Sequence, residues 1–135
     1  MKELSRILVE FYDKMSSWEN DMVRGTGLTL QQVHTIEVLG AHGDMKMKEL
    51  AAKMGITTGT MTINIDKLEK TGYVERKPNE QDRRSTLVGL TASGKELFEA
   101  HDDMHLLLTK EITSSMDEKE RKDLSRLLEK LLEGF

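Results

Sequence analysis

Cysteine is absent from the 135 residues, and proline occurs once. Without cysteine the chain forms no disulfide, no thiolate metal site and no cysteine redox switch. Aromatic residues make up 4% of the sequence, and no apolar run approaches the roughly 20 residues that span a bilayer. Charged residues occur from the second position onward (Lys2, Glu3, Arg6). We therefore expect neither a signal peptide nor a membrane segment, and a cytoplasmic location.

Charge, by contrast, is abundant, at 33% of the residues. With so little proline, this composition favours one domain that is mainly helical. Residues 44–90 carry nine basic and seven acidic side chains, a net charge of +2, whereas residues 91–135 carry seven and eleven, a net charge of −4. A basic middle fits a central module that faces DNA, but ordinary solvated helix faces also account for a difference of this size.

Several segments have the periodicity of amphipathic helices. The first has a heptad-like apolar seam, formed by Leu4, Leu8, Phe11, Met15, Trp18 and Met22. Thr29 and Gln32 form a capping box, which predicts the start of a second helix. A short third helix is predicted from one apolar face, formed by Met47, Leu50, Ala51 and Met54.

The stretch from Gly55 to Arg76 contains the helix of greatest interest. Gly55 allows a tight turn, because glycine takes positive φ without a steric cost. Thr57 and Thr58 are candidate N-caps. One face is apolar, with Met61, Ile65 and Leu68, and Gly72 ends the helix. The predicted outward positions are Thr58, Gly59, Thr62, Ile63 and Asp66.

A two-stranded hairpin is predicted directly after this helix. Residues 73–77 and 86–90 are rich in β-forming residues. The loop between them carries Arg83 and Arg84, which suit a phosphate backbone or a narrow minor groove. Asp82 is predicted to stiffen the loop by accepting hydrogen bonds from an arginine and from the loop backbone. A helix entered by a tight turn and followed by a hairpin is typical of a winged helix-turn-helix.

Two more helices complete the pattern. Thr91 is a candidate cap for a long helix ending near Met116, and Asp117 with Glu120 predicts a last helix. The apolar residues of this last helix are spaced four, three and four positions apart: Leu124, Leu128, Leu131 and Phe135. The seams of the first and last helices suit one another, so we expect a helical homodimer that buries both.

The chain resembles the MarR family of winged helix-turn-helix transcriptional regulators. The resemblance rests on MKELAAKMGITTGTMTINIDKLEKTGYVER, on DRR at Asp82–Arg84 and on LVGLTASGKEL, in that order. It implies dimerisation helices in residues 1–27 and 92–135 around a DNA-binding module in residues 28–91. It further implies a homodimeric DNA-binding regulator, predicted to be a repressor, on a pseudo-palindromic operator. Carried over by position, the DNA contacts would be Thr57, Thr58, Gly59, Thr62, Ile63, Arg83 and Arg84, with Asp82 as the brace. Because it is basic and lies in the wing, Lys77 is also expected to contact DNA.

Two of these positions depart from the family pattern. Many relatives have a basic residue at the positions of Thr58 and Ile63, where an arginine would read guanine. Threonine and isoleucine instead favour contact with thymine methyl groups, so we expect an AT-rich operator read partly through its shape. Asn64 lies where the family usually has an apolar residue, which weakens the expected inner face of the helix.

The histidines suggest a regulatory site. His101 and His105 are four residues apart on one predicted helix, a spacing that lets two imidazoles bind one metal. The resemblance adds His34 on the second helix, with Glu19 or Asp21 as a fourth ligand, and likens the set to the zinc-responsive branch. Zinc is thus a predicted ligand. A hydrogen-bonded histidine pair is the alternative, since the segment HTIEVLG also resembles the branch that regulates fatty-acid synthesis.

Without a metal, the same junction is the expected pocket for a small anionic or aromatic effector, lined by Trp18 and His34. An effector of either kind would shift the spacing of the two recognition helices in the dimer.

Two other functions compete with DNA binding. An enzyme is disfavoured because the sequence has no nucleophile elbow, His-Glu-x-x-His or phosphate-binding glycine loop. A winged module used only for protein contact is the second, and salt dependence of DNA binding distinguishes it.

Overall fold

The computed structural model describes residues 1–135 and contains six helices and one three-stranded sheet. In chain order the elements are α1 (Lys2–Arg24), α2 (Leu30–His42), β1 (Met45–Lys46), α3 (Met47–Met54), α4 (Thr58–Lys70), β2 (Val74–Pro78), β3 (Thr86–Leu90), α5 (Ala92–Ile112) and α6 (Glu118–Leu132). Two compact units are present, Met1–Phe98 and Glu99–Phe135. None of the helices combines the length and the hydropathy that crossing a membrane requires.

The helix starts are where the capping residues predict them. Thr29 with Gln32 and Asp117 with Glu120 both form complete capping boxes, with each side chain accepting the other residue's backbone N–H. Thr91 Oγ1 accepts the backbone N–H of Gly94 at 3.1 Å and so caps α5. The end of α5 was predicted wrongly: the helix ends at Ile112, and the chain then turns through a bond from Met116 N–H to Thr113 O at 3.0 Å.

Thr91 also connects two elements. Its hydroxyl donates to Gly72 O at 2.5 Å, and its backbone N–H donates to Tyr73 O at 3.1 Å. Gly72 has φ +82°, the left-handed conformation that glycine adopts readily, and it follows directly after the last turn of α4. The first turn of α5 is therefore hydrogen-bonded to the segment that leaves α4.

The sheet has the strand order β1-β3-β2, with both pairs antiparallel. The two predicted strands are present, although β2 begins and ends one residue later than expected. β1 is an addition to the predicted two-stranded wing. It is only two residues long and pairs Met45 with Val88, so no alternating pattern could mark it.

The core of the first unit lies between α2, α3, α4 and the sheet. As predicted, the apolar face of α4 is buried, with Met61, Ile65 and Leu68 fully enclosed. The other buried members of this core are Ile36, Leu39, Met45, Leu50, Ala51, Val74, Val88 and Leu90. Because the core holds one side of α4, the opposite side of that helix is free to face outward.

Helices α1 and α6 each expose an apolar face. On α1 the exposed apolar side chains include Leu4, Ile7, Leu8 and Phe11. On α6 no residue is buried, and Leu127, Leu128, Leu131 and Leu132 are all exposed. Contiguous exposed apolar residues of this kind mark interaction surfaces in soluble proteins.

Candidate nucleic-acid interface

The start of α4 is fixed by its own threonines. Gly55 has φ +66° and turns the chain after α3. Thr57 is the N-cap, and its Oγ1 accepts the N–H of Thr60 at 3.1 Å. Thr58 is the first helical residue, so it does not cap the helix as its type suggested. The hydroxyl of Thr57 is thereby committed to holding the helix start.

The outward side of α4 presents Thr58, Gly59, Thr62 and Ile63, all exposed. Thr62 Oγ1 donates to Thr58 O at 2.9 Å, so this hydroxyl already has a partner inside the helix. Ile63 is 60% exposed, which places a large branched hydrocarbon on an otherwise polar face. Such a side chain suits contact with thymine methyl groups.

Gly59 is a glycine that the fold itself does not require. A Cβ at this position meets no atom within 4 Å, and the residue has no positive φ. A glycine that is not needed for positive φ can still serve a function, because it lets another molecule approach the backbone closely. The bare backbone at Gly59 is therefore suited to close contact with a DNA strand.

We expect Gly59→Ala to separate stability from binding. The substitution should leave the melting temperature unchanged or raise it by about 2–4 °C, because alanine loses less backbone entropy. It should weaken operator binding about tenfold by adding a methyl group at the contact. Gly25→Ala is the control, since that glycine is also exposed and its Cβ would meet only Met22 O at an ordinary distance. Unchanged affinity on titration of labelled operator would contradict the expectation.

Arg76 joins the wing to α4. Its guanidinium donates to Asp66 Oδ1 at 2.6 Å and to Glu69 Oε1 at 2.9 Å, and its backbone N–H donates to Glu69 Oε2 at 3.2 Å. The hydrogen bond that Asp66 accepts, together with the charge of Glu69, raises the pKa of Arg76. This arginine is therefore occupied within the chain, and it fixes β2 against α4, the helix that carries the predicted base contacts and is called the recognition helix below.

The tip of the wing is stiffened by short-range hydrogen bonds. Asp82 Oδ1 accepts the backbone N–H of Arg84 at 3.1 Å, and Asp82 O accepts that of Ser85 at 3.1 Å. The hydrogen bond that the Asp82 carboxylate was predicted to accept from an arginine comes from the backbone of Arg84, and its ionic partner is Lys46 Nζ, at 3.6 Å. Arg83 and Arg84 are exposed on this stiffened tip. The guanidinium groups thus project from a loop whose backbone is held.

The side chain of Lys77 in β2 reaches across the central strand β3 and pairs with Asp44, which precedes β1. Its Nζ is 3.1 Å from Asp44 Oδ2 and 3.5 Å from Glu75 Oε1. Its hydrogen bond with Asp44 is the main reason why the pKa of Lys77 is raised. A Cβ at Gly89 would overlap Asp44 Oδ1, so the glycine of β3 leaves the space that the ion pair occupies. A DNA phosphate that binds the Lys77 ammonium, as predicted, must therefore compete with the carboxylates of Asp44 and Glu75.

We expect Asp44→Asn to strengthen binding to DNA of any sequence. Removing one carboxylate leaves the Lys77 ammonium freer to bind a phosphate, which should steepen the slope of log K against log salt by about 0.9. The measurement is fluorescence anisotropy with a random duplex across a salt series. The double variant Asp44→Asn/Lys77→Gln should show no such increase. If Lys77→Gln alone lowers the slope by that amount, Lys77 already binds phosphate in the native protein.

The predicted regulatory residues occur in both compact units of the chain. In the first unit Glu19 Oε1 and His34 Nε2 are 2.5 Å apart, and Trp18 is partly buried in α1. That is a hydrogen-bond distance, whereas two ligands on one zinc ion lie about 3.3 Å apart. Asp21 is paired with Arg24 instead, at 2.5 Å. In the second unit the rings of His101 and His105 meet edge to face, with centroids 4.8 Å apart. Zinc binding stays a prediction.

A helix presented by a tight turn, a stiff hairpin with two exposed arginines and a third short strand define a winged helix-turn-helix protein. The comparisons with known proteins agree with this class. The model of the MarR family matches residues 28–86. The HTH-type transcriptional regulator BilQ of Clostridium symbiosum (strain WAL-14163) is 33% identical over 106 residues, which cover 78% of this chain and 73% of BilQ.

Two further similarities extend the comparison. The uncharacterised HTH-type transcriptional regulator YfiV of Bacillus subtilis (strain 168) is 35% identical over 86 residues, or 63% of this chain, and the match spans only 54% of YfiV. The crystal structure of Streptococcus pneumoniae FabT in complex with DNA has a TM-score of 0.87 and 27% identity, and covers 98% of this chain and 94% of that one. The chain belongs to the MarR family, whose members are transcriptional regulators and not enzymes.

Proposed function

We propose that this protein is a sequence-specific DNA-binding repressor that acts as a homodimer on a pseudo-palindromic operator. The observation that carries the proposal is a surface formed by Thr58, Gly59, Thr62 and Ile63 of α4 with Arg83 and Arg84 of the wing, here named the DNA-facing surface. Its residues are exposed, while neighbouring basic groups are paired: Arg76 with Asp66 and Glu69, and Lys77 with Asp44. The solved complex of FabT with DNA supports this role.

The charge of this surface suits DNA although the net charge of the chain is −4. Phosphate contacts hold a protein in register, and base contacts select the sequence. Arg83 and Arg84 supply the first kind of contact, and Ile63 with Thr62 supplies the second. Since neither base-reading side chain forms the arginine fork that recognises guanine, we propose an operator rich in A·T pairs.

The homodimer is supported by the apolar faces of α1 and α6. Leu8 is 40% exposed and Leu128 is 41% exposed, although both are large aliphatic side chains. A second copy of the chain is the partner that presents the same faces, as an isologous interface requires. Two copies would place two DNA-facing surfaces on one duplex, and repression then needs only that the operator be occupied.

Footprinting on the DNA upstream of the protein's own gene tests the proposal. We expect a protected site with two related half-sites separated by about one helical turn, roughly 10 base pairs. Binding should weaken steeply as the salt concentration rises, because phosphate contacts release counterions. A winged module that serves only protein contact would give no footprint. Binding to a duplex with no salt dependence would also count against the proposal.

We further propose that an effector acts where α1 meets α2, at Trp18, Glu19 and His34. The Glu19–His34 hydrogen bond joins these two helices, so a ligand that changes it would change how α1 sits against the winged module. Zinc and a small anionic or aromatic molecule are the two ligand classes. Elemental analysis of protein purified without chelator, repeated with His34→Ala, tests zinc: absence of bound or bindable metal would leave only the small-molecule class.

A further inference from the structure

One buried polar pair connects the recognition helix α4 to α2. Asn64 is 5% exposed and Thr35 is fully buried. Asn64 Nδ2 donates to Thr35 Oγ1 at 2.6 Å, and Thr35 Oγ1 in turn donates to Gln31 O at 2.8 Å. The pair therefore ends on the backbone of α2 as a continuous chain of hydrogen bonds.

The surroundings of the pair are otherwise apolar. The sulfur of Met54 lies 3.2 Å from Thr35 Oγ1, and that of Met61 lies 3.8 Å from Asn64 Nδ2. Ile65 and Ile36, next in sequence to the two polar residues, are fully buried. The contacts of Met61, Ile65 and Leu68 would hold α4 to the core without any hydrogen bond, because apolar burial is not directional.

A hydrogen bond adds what apolar contact lacks, which is a preferred direction and distance. If α4 rotated about its axis or slid along α2, the buried amide of Asn64 would lose its partner, and an unpaired buried polar group is costly. Such a buried polar group selects one arrangement among several with similar apolar packing. The pair is therefore expected to restrict α4 to one rotational position.

That position decides where the base-reading side chains lie. Thr62 and Ile63 directly precede Asn64 on the same helix, and both are exposed. Recognition of bases requires side chains held within about 0.5 Å and 10–20° of the productive geometry. We propose that Asn64 is a positioning residue for operator discrimination, acting through its hydrogen bond to Thr35. The inference rests on the proposed function as a DNA-binding regulator.

The test compares discrimination with stability in a set of variants. Asn64→Leu/Thr35→Val replaces both polar partners with apolar groups of similar size, a change that is often nearly neutral for folding. Thr35→Val removes the hydroxyl but keeps the branched shape, and Thr35→Ser keeps the hydroxyl. For each, the melting temperature is measured, together with the Kd for the operator and for a scrambled duplex of equal length.

We expect the double variant to melt close to the native protein and to bind the scrambled duplex with unchanged affinity. Its ratio of specific to non-specific affinity should fall about tenfold, comparable to one mismatched base pair. Thr35→Ser should keep the native ratio. If the double variant does not fold, the two single variants test the inference. A ratio of specific to non-specific affinity that falls in Thr35→Val and stays native in Thr35→Ser supports it.

The inference is overturned if the folded double variant keeps the native ratio, or if Thr35→Val and Thr35→Ser change it equally. Its failure is distinguishable from failure of the proposed function. A native protein that does not discriminate the operator from the scrambled duplex would refute the function itself. A native protein and a double variant that discriminate equally well would refute only the role of Asn64.

Discussion

Replacing Arg83 and Arg84 together by alanine is expected to weaken operator binding by about 100-fold or more. Each exposed guanidinium can make a charge-assisted contact with DNA, and hydrogen bonds to charged groups contribute about 1.5–3 kcal/mol each. The slope of log K against log salt should fall by about 1.8, because two phosphate contacts are lost. Both effects are measured by titrating labelled operator across a salt series.

The structure gives a reason to assign such a loss to the side chains themselves. Asp82 holds the tip through the backbone N–H of Arg84, a group that alanine retains. The wing should therefore keep its shape in the double variant. Lys119→Ala/Arg126→Ala is the matched control, since it removes two exposed positive charges from α6. Equal losses in both double variants would show that net charge alone governs binding.

Leu128→Glu should abolish the homodimer and with it tight operator binding. A carboxylate in the middle of an apolar interface would be buried without a partner, which is strongly unfavourable. Two linked half-site contacts gain about 10²–10⁴ in apparent affinity over one, so the operator affinity should fall within that range. Affinity for an isolated half-site should not change. Sedimentation velocity measures the oligomeric state, and anisotropy measures the two affinities.

The folded chain should tolerate this substitution, because Leu128 is 41% exposed and α6 has no buried residue of its own. Arg126→Gln changes the net charge by the same amount at a position two residues away, on the other side of the helix. That control should remain dimeric and bind normally. A Leu128→Glu protein that sediments as a dimer would contradict the proposed interface.

Local signals in the sequence predicted much of the fold. The capping boxes at Thr29 and Asp117 depend on residues three positions apart, so they can be recognised without tertiary information. The apolar face of α4 follows the helical period for the same reason. β1 could not be predicted, because two residues carry no alternation and the strand exists only through its pairing with β3.

The ionic partners in the candidate interface were less predictable. Asp44 and Lys77 are 33 positions apart, and Arg76 and Asp66 are ten apart across a helix end. No period links such pairs, since their approach depends on how β2 returns along the sheet and against α4. The sequence therefore predicted Lys77 as a DNA contact from its type alone. The structure shows the two carboxylates that hold it.

The role of Asn64 could be predicted only in part from the sequence. Its departure from the family pattern was visible in the sequence and suggested a weakened inner face. The structure instead shows an amide that is fully compatible with burial, because Thr35 lies within hydrogen-bond distance. Only the separation of 29 positions along the chain prevented the partner from being recognised.

Thr91 attaches the recognition helix α4 to the start of α5. Through two bonds to residues 72 and 73 it joins the first turn of α5 to the chain leaving α4. The C-terminal end of α4 is therefore held twice, by the burial of Leu68 in the core and by the hydrogen bonds of Thr91. The core holds α4 along its length, from Met61 to Leu68, and Thr91 adds a polar attachment at its C-terminal end, so we expect the tilt of this helix to depend on where α5 begins.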